Sequence, residues 1–314
     1  NTPMQTEEFF LFDTVNTITA PALDPDTMTA VKNACLRYEK LFSRFDEQSQ
    51  LFRINNAHGT LVDVDSELAQ FIKTSLAYCE ASNGLFDITM GSVTRLWNFK
   101  NGTIPAKDDV HAALAHVNWR GVHVTDSTVQ LADPDACLEL GGIAKGYIAD
   151  GVLDVLAHHG VEHAIVNLGG NVAVMGGRPD GTPWQVGLRQ PIASHGIPVT
   201  ATFAAVGVAS GSVVTSGVYE RAFTSDGKAY HHIIDPRTGF PAESDVVSAT
   251  VVSHTSLEGD GYSTSLILMG VEGALQFAAQ HPEIDIVLVD AQGRVFATPG
   301  IGNRVPFRLI NREK

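Results

Sequence analysis

One order of elements occurs twice in the second half of this 314-residue chain, and it constrains the fold more than any other feature. In residues 147–177 and again in residues 262–297, a helical pattern is followed by an apolar strand, a short glycine-containing turn and a second strand. Glycine accepts a positive φ without steric cost, so it suits a tight connection between antiparallel strands. The repeat predicts an α+β fold with mixed or antiparallel sheets and flanking helices, and it is consistent with an internal duplication.

The segment before each of these helices carries residues suited to an anionic ligand and a metal ion. The first segment is Glu139-Leu-Gly-Gly-Ile-Ala-Lys-Gly146, and the second is Glu258-Gly-Asp-Gly-Tyr-Ser-Thr264. Helix N-termini attract phosphate, and carboxylate and hydroxyl oxygens are ligands that Mg²⁺ prefers. Asp260 and Thr264 are four residues apart, so a helix places them on one face. The pattern indicates a metal-assisted nucleotide site, with a simple strand-to-helix turn and an N-capping aspartate as the alternatives.

A third segment, residues 230–241, is dense in functional side chains. Its sequence Asp235-Pro-Arg-Thr-Gly239 is typical of a turn, and His232 precedes that turn. A histidine beside a bound phosphoanhydride can act as a general base near neutral pH. The alternative is a surface histidine with no part in chemistry.

Composition excludes several classes of protein. The chain has 21 Lys and Arg against 35 Asp and Glu, a net charge of −14, which argues against sequence-independent nucleic-acid binding. No apolar run approaches the roughly 18 residues of a membrane span. The chain does not open with a signal-peptide pattern, and a leader that has already been removed remains an alternative. The three cysteines are too scattered for a zinc site or a disulfide framework. No linker divides the chain, so we expect one domain over residues 1–314.

The remaining patterns predict individual elements. Residues 7–20 are expected to form one strand, residues 26–45 a helix capped by Asp24 or Asp26, and residues 66–82 a second helix. The serine-rich segments 208–212 and 214–217 do not fit a serine hydrolase and are expected to be turns of an antiparallel hairpin.

Read together, these segments resemble the ApbE family of magnesium-dependent FAD:protein FMN transferases. The matching stretches are Glu139–Gly146, Val166-Asn-Leu-Gly-Gly-Asn171, Thr215-Ser-Gly217, His232-Ile-Ile-Asp-Pro-Arg-Thr-Gly239 and Gly259-Asp-Gly-Tyr-Ser-Thr264, with weaker matches at Phe42–Asn55 and Gly84–Thr89. They run in family order over almost the whole chain. The resemblance implies a bilobed, T-fold-related architecture.

The resemblance also implies a reaction and a set of site residues. FAD would bind with its pyrophosphate on Mg²⁺, and a threonine hydroxyl of an acceptor protein would take the FMN group and release AMP. His232 would be the base. The metal would be held by side-chain oxygens of Asp260 and Thr264 and by backbone carbonyls of Gly142 and Ser263. FAD would be lined by Phe12, Phe45, Leu85, Phe86, Asp87, Glu139, Lys145 and Ile234. Phe12-Asp13-Thr14 stands where the family usually has Met-Gly-Thr.

Partners and location follow from the same resemblance. Family members act on membrane-associated redox proteins outside the cytoplasm, so we expect a redox acceptor with a target threonine and a periplasmic or lipid-anchored location. Two alternatives use the same motifs: an FAD pyrophosphatase that yields FMN and AMP, and a non-catalytic FAD-binding protein.

Overall fold

The computed structural model describes residues 3–192 and 201–310 and confirms the predicted α+β class. The strands are β1 (Gln5–Leu11), β2 (Thr14–Ala20), β3 (Val62–Asp63), β4 (Val122–Val124), β5 (Thr128–Leu131), β6 (Ala164–Leu168), β7 (Asn171–Met175), β8 (Trp184–Arg189), β9 (Thr202–Val208), β10 (Gly211–Gly217), β11 (Ala222–Ser225), β12 (Lys228–His231), β13 (Val246–Ser253), β14 (Asp285–Asp290), β15 (Val295–Ala297) and β16 (Phe307–Leu309). The helices are α1 (Pro25–Phe42), α2 (Gln50–Asn55), α3 (Ser66–Ala81), α4 (Gly91–Thr94), α5 (Lys107–Leu114), α6 (Gly141–His158) and α7 (Ser256–Ala279).

Two compact units are distinguished by their internal contacts. Unit 1 comprises residues 1–35, 144–217 and 244–314, and unit 2 comprises residues 36–143 and 218–243. No helix in the described ranges has the length and apolar character needed to cross a membrane.

An eight-stranded antiparallel sheet organises unit 1. Its strand order is β1-β2-β6-β7-β10-β13-β14-β15, so two four-stranded halves meet where β7 pairs with β10. In the first half, β1 and β2 come first in the chain, and helix α6 precedes the β6–β7 hairpin. In the second half, β10 and β13 come first, and helix α7 precedes the β14–β15 hairpin. The predicted order of helix, strand, turn and strand is therefore confirmed in both copies, and it extends to the strand pair before each copy.

Helix α7 packs closely on this sheet because its first turns carry small residues. A Cβ on Gly259 would lie 2.6 Å from Val214 Cγ2 of β10, so only glycine allows this approach. All residues of β13 and β14 are buried, as expected for strands covered on both faces. A separate three-stranded sheet has the order β16-β9-β8.

Unit 2 combines short helices with a three-stranded sheet, β3-β5-β4, and the β11–β12 hairpin. Part of its core groups Met90, Val93, Trp97, Ala113 and Ile234. The indole nitrogen of Trp97 donates a hydrogen bond of 3.0 Å to the carbonyl of Gly239, which ties this core to the turn after residue 235.

Helix boundaries agree with their sequence signals to within a few residues. Asp24 Oδ1 accepts a 2.8 Å hydrogen bond from Thr27 N at the start of α1, so Asp24 rather than Asp26 is the cap. The helix ends at Phe42 instead of residue 45. Helix α3 ends at Ala81, before Asn83 and its neighbouring glycine, both of which have positive φ.

Two expectations about strands are wrong. Residues 7–20 form the hairpin β1–β2 rather than one strand, because Phe12 and Asp13 adopt φ of 56° and 58° and reverse the chain. Residues 214–217 lie inside β10, and residues 209–210 connect β9 to β10, which belong to different sheets. The serine-rich segments therefore do not form a β9–β10 hairpin.

Candidate functional site

A group of oxygen atoms gathers at the first turns of α7 in unit 1. Ser263 and Thr264 lie one turn after Asp260, at the i+3 and i+4 positions that share a helical face. Ser216 of β10 joins them: its Oγ is 2.7 Å from Ser263 Oγ and 3.4 Å from Thr264 Oγ1. The structure thus places three predicted ligand residues on one helical face, with the hydroxyls of Ser263 and Thr264 beside Ser216. Ser263 was predicted to act through its backbone carbonyl, and Ser216 was not predicted as a ligand.

The Asp260 carboxylate is buried, and this dominates its chemistry. Its Oδ2 accepts a 2.6 Å hydrogen bond from Gly146 N of α6. Burial raises the pKa of Asp260 to about 7, against the lowering effects of Asn171, the Gly146 N–H and Lys145.

These residues fit a hard divalent cation. The pKa of Asp260 is raised by burial in spite of the nearby positive charge of Lys145. Burying a carboxylate costs free energy, and a bound divalent cation offsets that cost. The surrounding donors are carboxylate and hydroxyl oxygens, which are ligands of Mg²⁺ rather than of softer metals.

Asp260 predicts a pH dependence of stability in the metal-free protein. Its folded pKa lies above its ordinary value, so the native state holds a proton that the unfolded state releases. This contribution is fully present below about pH 4, the unfolded pKa, and is lost as the pH rises through about 7. In excess chelator, the melting temperature of wild type minus that of Asp260→Asn should fall between pH 5 and pH 8, and Mg²⁺ should restore the wild type at pH 8. A difference that does not change with pH would contradict the assignment.

In unit 1, a lysine of α6 lies beside the glycine-rich β6–β7 turn. A Cβ on Gly169 would lie 3.0 Å from Lys145 Nζ and 2.9 Å from Thr14 Cγ2. The β6–β7 turn, the lysine of α6 and the β1–β2 turn therefore meet in unit 1. Phe12, the predicted flavin contact, is in that β1–β2 turn and is half-buried.

Phe12 has a backbone conformation that is unfavourable for its residue type. A non-glycine residue in the left-handed region costs about 1–2 kcal/mol, whereas glycine loses about 0.5–1 kcal/mol more entropy on folding. Phe12→Gly relieves this strain but also removes a half-buried ring, so we expect little net change in the free energy of unfolding and weaker FAD binding, because the ring is lost. Asp13→Gly, the neighbouring position with φ of 58°, is the control and should leave the affinity for FAD unchanged. Denaturant titration and fluorescence titration measure the two effects, and equal FAD affinity in both variants would remove Phe12 from the flavin site.

In unit 2, Glu139 is fixed by two partners. Arg44 Nη1 lies 3.1 Å from Glu139 Oε2, and Thr94 Oγ1 hydrogen-bonds to the same oxygen. Arg44 also donates to Thr94 at 3.0 Å and stacks over the ring of Phe45, which is 81% exposed. Two predicted FAD contacts, Glu139 and Phe45, are thus connected through Arg44.

The other predicted contacts of unit 2 lie around residue 86. A Cβ on Gly142 would lie 3.4 Å from Phe86 Cε2, so the ring covers the first turn of α6. Leu85 and Phe86 are half-buried. Asp87 accepts hydrogen bonds from Thr89 N and Oγ1 at 2.8 and 2.6 Å, and burial raises its pKa.

The loop after β12 distinguishes between two adjacent histidines. His231 Nε2 lies 2.9 Å from the carbonyl of Ala242, and His231 Nδ1 accepts from Ile233 N at 3.2 Å. Burial lowers the pKa of His231. Both of its ring nitrogens hold the backbone, so His231 has a structural role and His232 is the better candidate base.

The same loop borders a cavity of about 710 Å³ within unit 2, a volume that suits a small organic ligand. Ile234 does not expose its side chain there, because it is buried in the core beside Trp97. Any contact of Ile234 with FAD would therefore come from its backbone. The Asp235 carboxylate is held by Arg237 at 2.9 Å.

A second acidic group, in unit 2, contains none of the predicted metal ligands. Among the described residues, one group of three His, Cys, Asp or Glu side chains has all of its potential metal-binding atoms within 4.8 Å of one another. Its members are His116, Asp133 and Asp135. His116 Nδ1 and Asp133 Oδ2 are already paired at 2.7 Å. Asp135 is exposed, and the group shares no residue with the predicted metal site.

Comparison with known proteins shows the family of this chain. Residues 12–288 match the model of the ApbE family. The chain is 35% identical to the FAD:protein FMN transferase of Treponema pallidum, with 85% of this chain and 78% of that protein covered. It is 38% identical to one from Klebsiella pneumoniae, with 81% and 78% covered. The crystal structure of the ApbE protein of Thermotoga maritima superposes with a TM-score of 0.85 at 28% identity, over 95% of this chain and 97% of that one. The chain belongs to the ApbE family.

Proposed function

We propose that the protein transfers FMN from FAD to a threonine hydroxyl of an acceptor protein, in a Mg²⁺-dependent reaction that releases AMP. The relatives in Treponema pallidum and Klebsiella pneumoniae are named FAD:protein FMN transferase, which supports a transferase that uses FAD. The observation that carries the proposal is the buried Asp260 carboxylate beside the hydroxyls of Ser216, Ser263 and Thr264.

These oxygens supply what phosphoryl transfer requires of a protein. Asp260 and Thr264 would hold the metal through side-chain oxygens, Gly142 and Ser263 would hold it through backbone carbonyls, and Mg²⁺ would neutralise charge on the pyrophosphate. Lys145 adds a positive charge in the same unit, next to the Gly169 turn. Little covalent assistance is needed beyond charge neutralisation and alignment.

The chemical step conserves atoms without any further reactant. The threonine oxygen attacks the FMN phosphorus, the bond from that phosphorus to the AMP phosphate breaks, and AMP leaves. His232 accepts the proton of the threonine hydroxyl. The flavin is left on the acceptor as a phosphoester.

One experiment separates this function from its two alternatives. The protein is incubated with FAD, Mg²⁺ and a flavoprotein acceptor domain, AMP is quantified, and the denatured acceptor is examined for flavin fluorescence. Controls contain chelator, or an acceptor whose target threonine is replaced by alanine. Metal-dependent fluorescence with matching AMP supports transfer, AMP without labelling supports an FAD pyrophosphatase, and bound FAD with neither product supports a binding protein.

We also propose that the protein acts outside the cytoplasm, periplasmic or lipid-anchored, on a redox acceptor. The family resemblance supports this location. Fractionation of the producing cell tests it, and recovery of the protein with cytoplasmic enzymes would contradict it.

A further inference from the structure

Helices α6 and α7 are joined by hydrogen bonds that run in both directions. Gly146 N of α6 donates to Asp260 of α7 at 2.6 Å. In return, Ser256 N and Leu257 N of α7 donate to the two carboxylate oxygens of Asp150 on α6, at 2.8 and 2.9 Å. The first N–H groups of a helix have no partner within it, and a negative charge there is favourable. Asp150 therefore caps α7 from the neighbouring helix.

The contact leaves little freedom for α7 to move. A Cβ on Gly146 would lie 2.3 Å from the carbonyl oxygen of Ser256, so the two backbones touch at this point. Leu257 is three residues before Asp260, less than one helical turn. Fixing the first turn of a rigid helix fixes both its axial position and its rotation, and thus the place of the side chains one turn later.

Asp150 faces α7 through its carboxylate. Each of its two oxygens accepts a backbone N–H of that helix, and the hydrogen bonds described around Ser216 and Ser263 do not include Asp150. Burial raises its pKa to about 6 in spite of these two bonds. Burial of a carboxylate costs free energy, and Asp150 is buried against the backbone N–H groups of Ser256 and Leu257. We infer from this cost that the contact between Asp150 and α7 is required.

We propose that Asp150 is a positioning residue for the metal site, which sets the place of Asp260, Ser263 and Thr264 by anchoring the first turn of α7. The inference rests on the proposed function, since it takes these three residues as metal ligands. Asp150 acts through α7 and touches neither metal nor substrate.

Asp150→Asn tests this with little change of shape. The amide keeps one acceptor oxygen but turns an NH₂ group toward a backbone N–H. Asp154→Asn is the matched control, because Asp154 is one turn further along α6, exposed, and carries the same charge. Mn²⁺ binding to the FAD-free protein is measured by electron paramagnetic resonance. We expect the dissociation constant to rise about tenfold in Asp150→Asn, as for loss of one charge-assisted hydrogen bond, and to stay unchanged in Asp154→Asn.

Steady-state kinetics adds a readout that a loss of stability alone would not produce. In Asp150→Asn the Mg²⁺ concentration for half-maximal transfer should rise by the same factor, while kcat at saturating Mg²⁺ stays within about twofold. A lower melting temperature with unchanged Mn²⁺ affinity would show that Asp150 only stabilises the fold, and would overturn the proposal.

Ser256→Pro covers the case in which Asp150→Asn does not fold. Ser256 is the first residue of α7, where proline is favoured, and the φ and ψ of Thr255 (−127° and 152°) are allowed before proline. The substitution removes one N–H donor to Asp150, and the buried Ser256 Oγ has no hydrogen-bond partner in the described chain to lose. Weaker Mn²⁺ binding is expected, and wild-type affinity would contradict the proposal. If Asp260→Asn binds Mn²⁺ as tightly as the wild type does, the metal assignment fails, and this inference fails with it. If Asp260→Asn binds Mn²⁺ weakly but the Asp150 and Ser256 variants bind it as the wild type does, only this inference is refuted.

Discussion

Asp260→Asn should abolish metal-dependent FMN transfer while the protein stays folded. Asparagine matches the shape of aspartate and keeps an oxygen that can accept the hydrogen bond from Gly146 N. It removes the charge that attracts the cation, so Mg²⁺ binding should weaken by more than the about 10- to 100-fold that follows loss of an outer-shell partner. Calorimetric Mg²⁺ titration and labelling of the acceptor at limiting Mg²⁺ measure the two effects.

The same variant should be at least as stable as the wild type in chelator at pH 8. The wild type there holds a buried carboxylate whose pKa is raised to about 7, and the variant does not. Glu272→Gln is the matched control, since Glu272 is exposed, carries the same charge and lies in the part of α7 that follows the interruption at Gly270 (φ 76°). It should bind Mg²⁺ and transfer FMN as the wild type does. Normal transfer by Asp260→Asn at limiting Mg²⁺ would exclude Asp260 from the metal site.

Sequence reasoning predicted the parts of the site that depend on local geometry. The spacing predicted that Asp260 and Thr264 share a helical face, the family resemblance added Ser263, and the structure places Ser263 and Thr264 beside Ser216. Ser216 was matched only as part of Thr215-Ser-Gly217, because its approach to α7 depends on how β10 packs against that helix. The motif already named His232 as the base, whereas the contact of His231 with the Ala242 carbonyl depends on tertiary structure and was not predicted.

The fold shows the same division between local and distant contacts. The repeated helix, strand, turn and strand were predicted because each copy is contiguous. The strand pair β1–β2 was not recognised as part of the first copy, since the residues of unit 2 separate it from β6 along the chain. Its turn was missed because Phe12 and Asp13 replace the glycine or asparagine that marks a two-residue hairpin loop. Ile234 was assigned to FAD from its motif, whereas its side chain completes an apolar core.

His232→Ala should retain FAD and metal binding but lose most of its turnover. Removal of a general base typically lowers the rate by about 100- to 10,000-fold, and the loss should fall on kcat because the binding residues are unchanged. Single-turnover transfer to the acceptor domain, with FAD affinity measured separately, distinguishes the two effects. Since hydroxide replaces a missing base more effectively as the pH rises, the rate of the variant should increase with pH where the wild-type rate is level.

His231→Ala gives the contrast that makes this assignment testable. His231 holds the backbone at Ile233 and Ala242, so its loss should lower the melting temperature of the protein. Well below that temperature its turnover should remain close to the wild-type value, because neither ring nitrogen is available to take a proton from threonine. Unaltered turnover of His232→Ala near neutral pH would reject His232 as the base. Loss of turnover only in His231→Ala would transfer the role to the histidine that the structure assigns to the backbone.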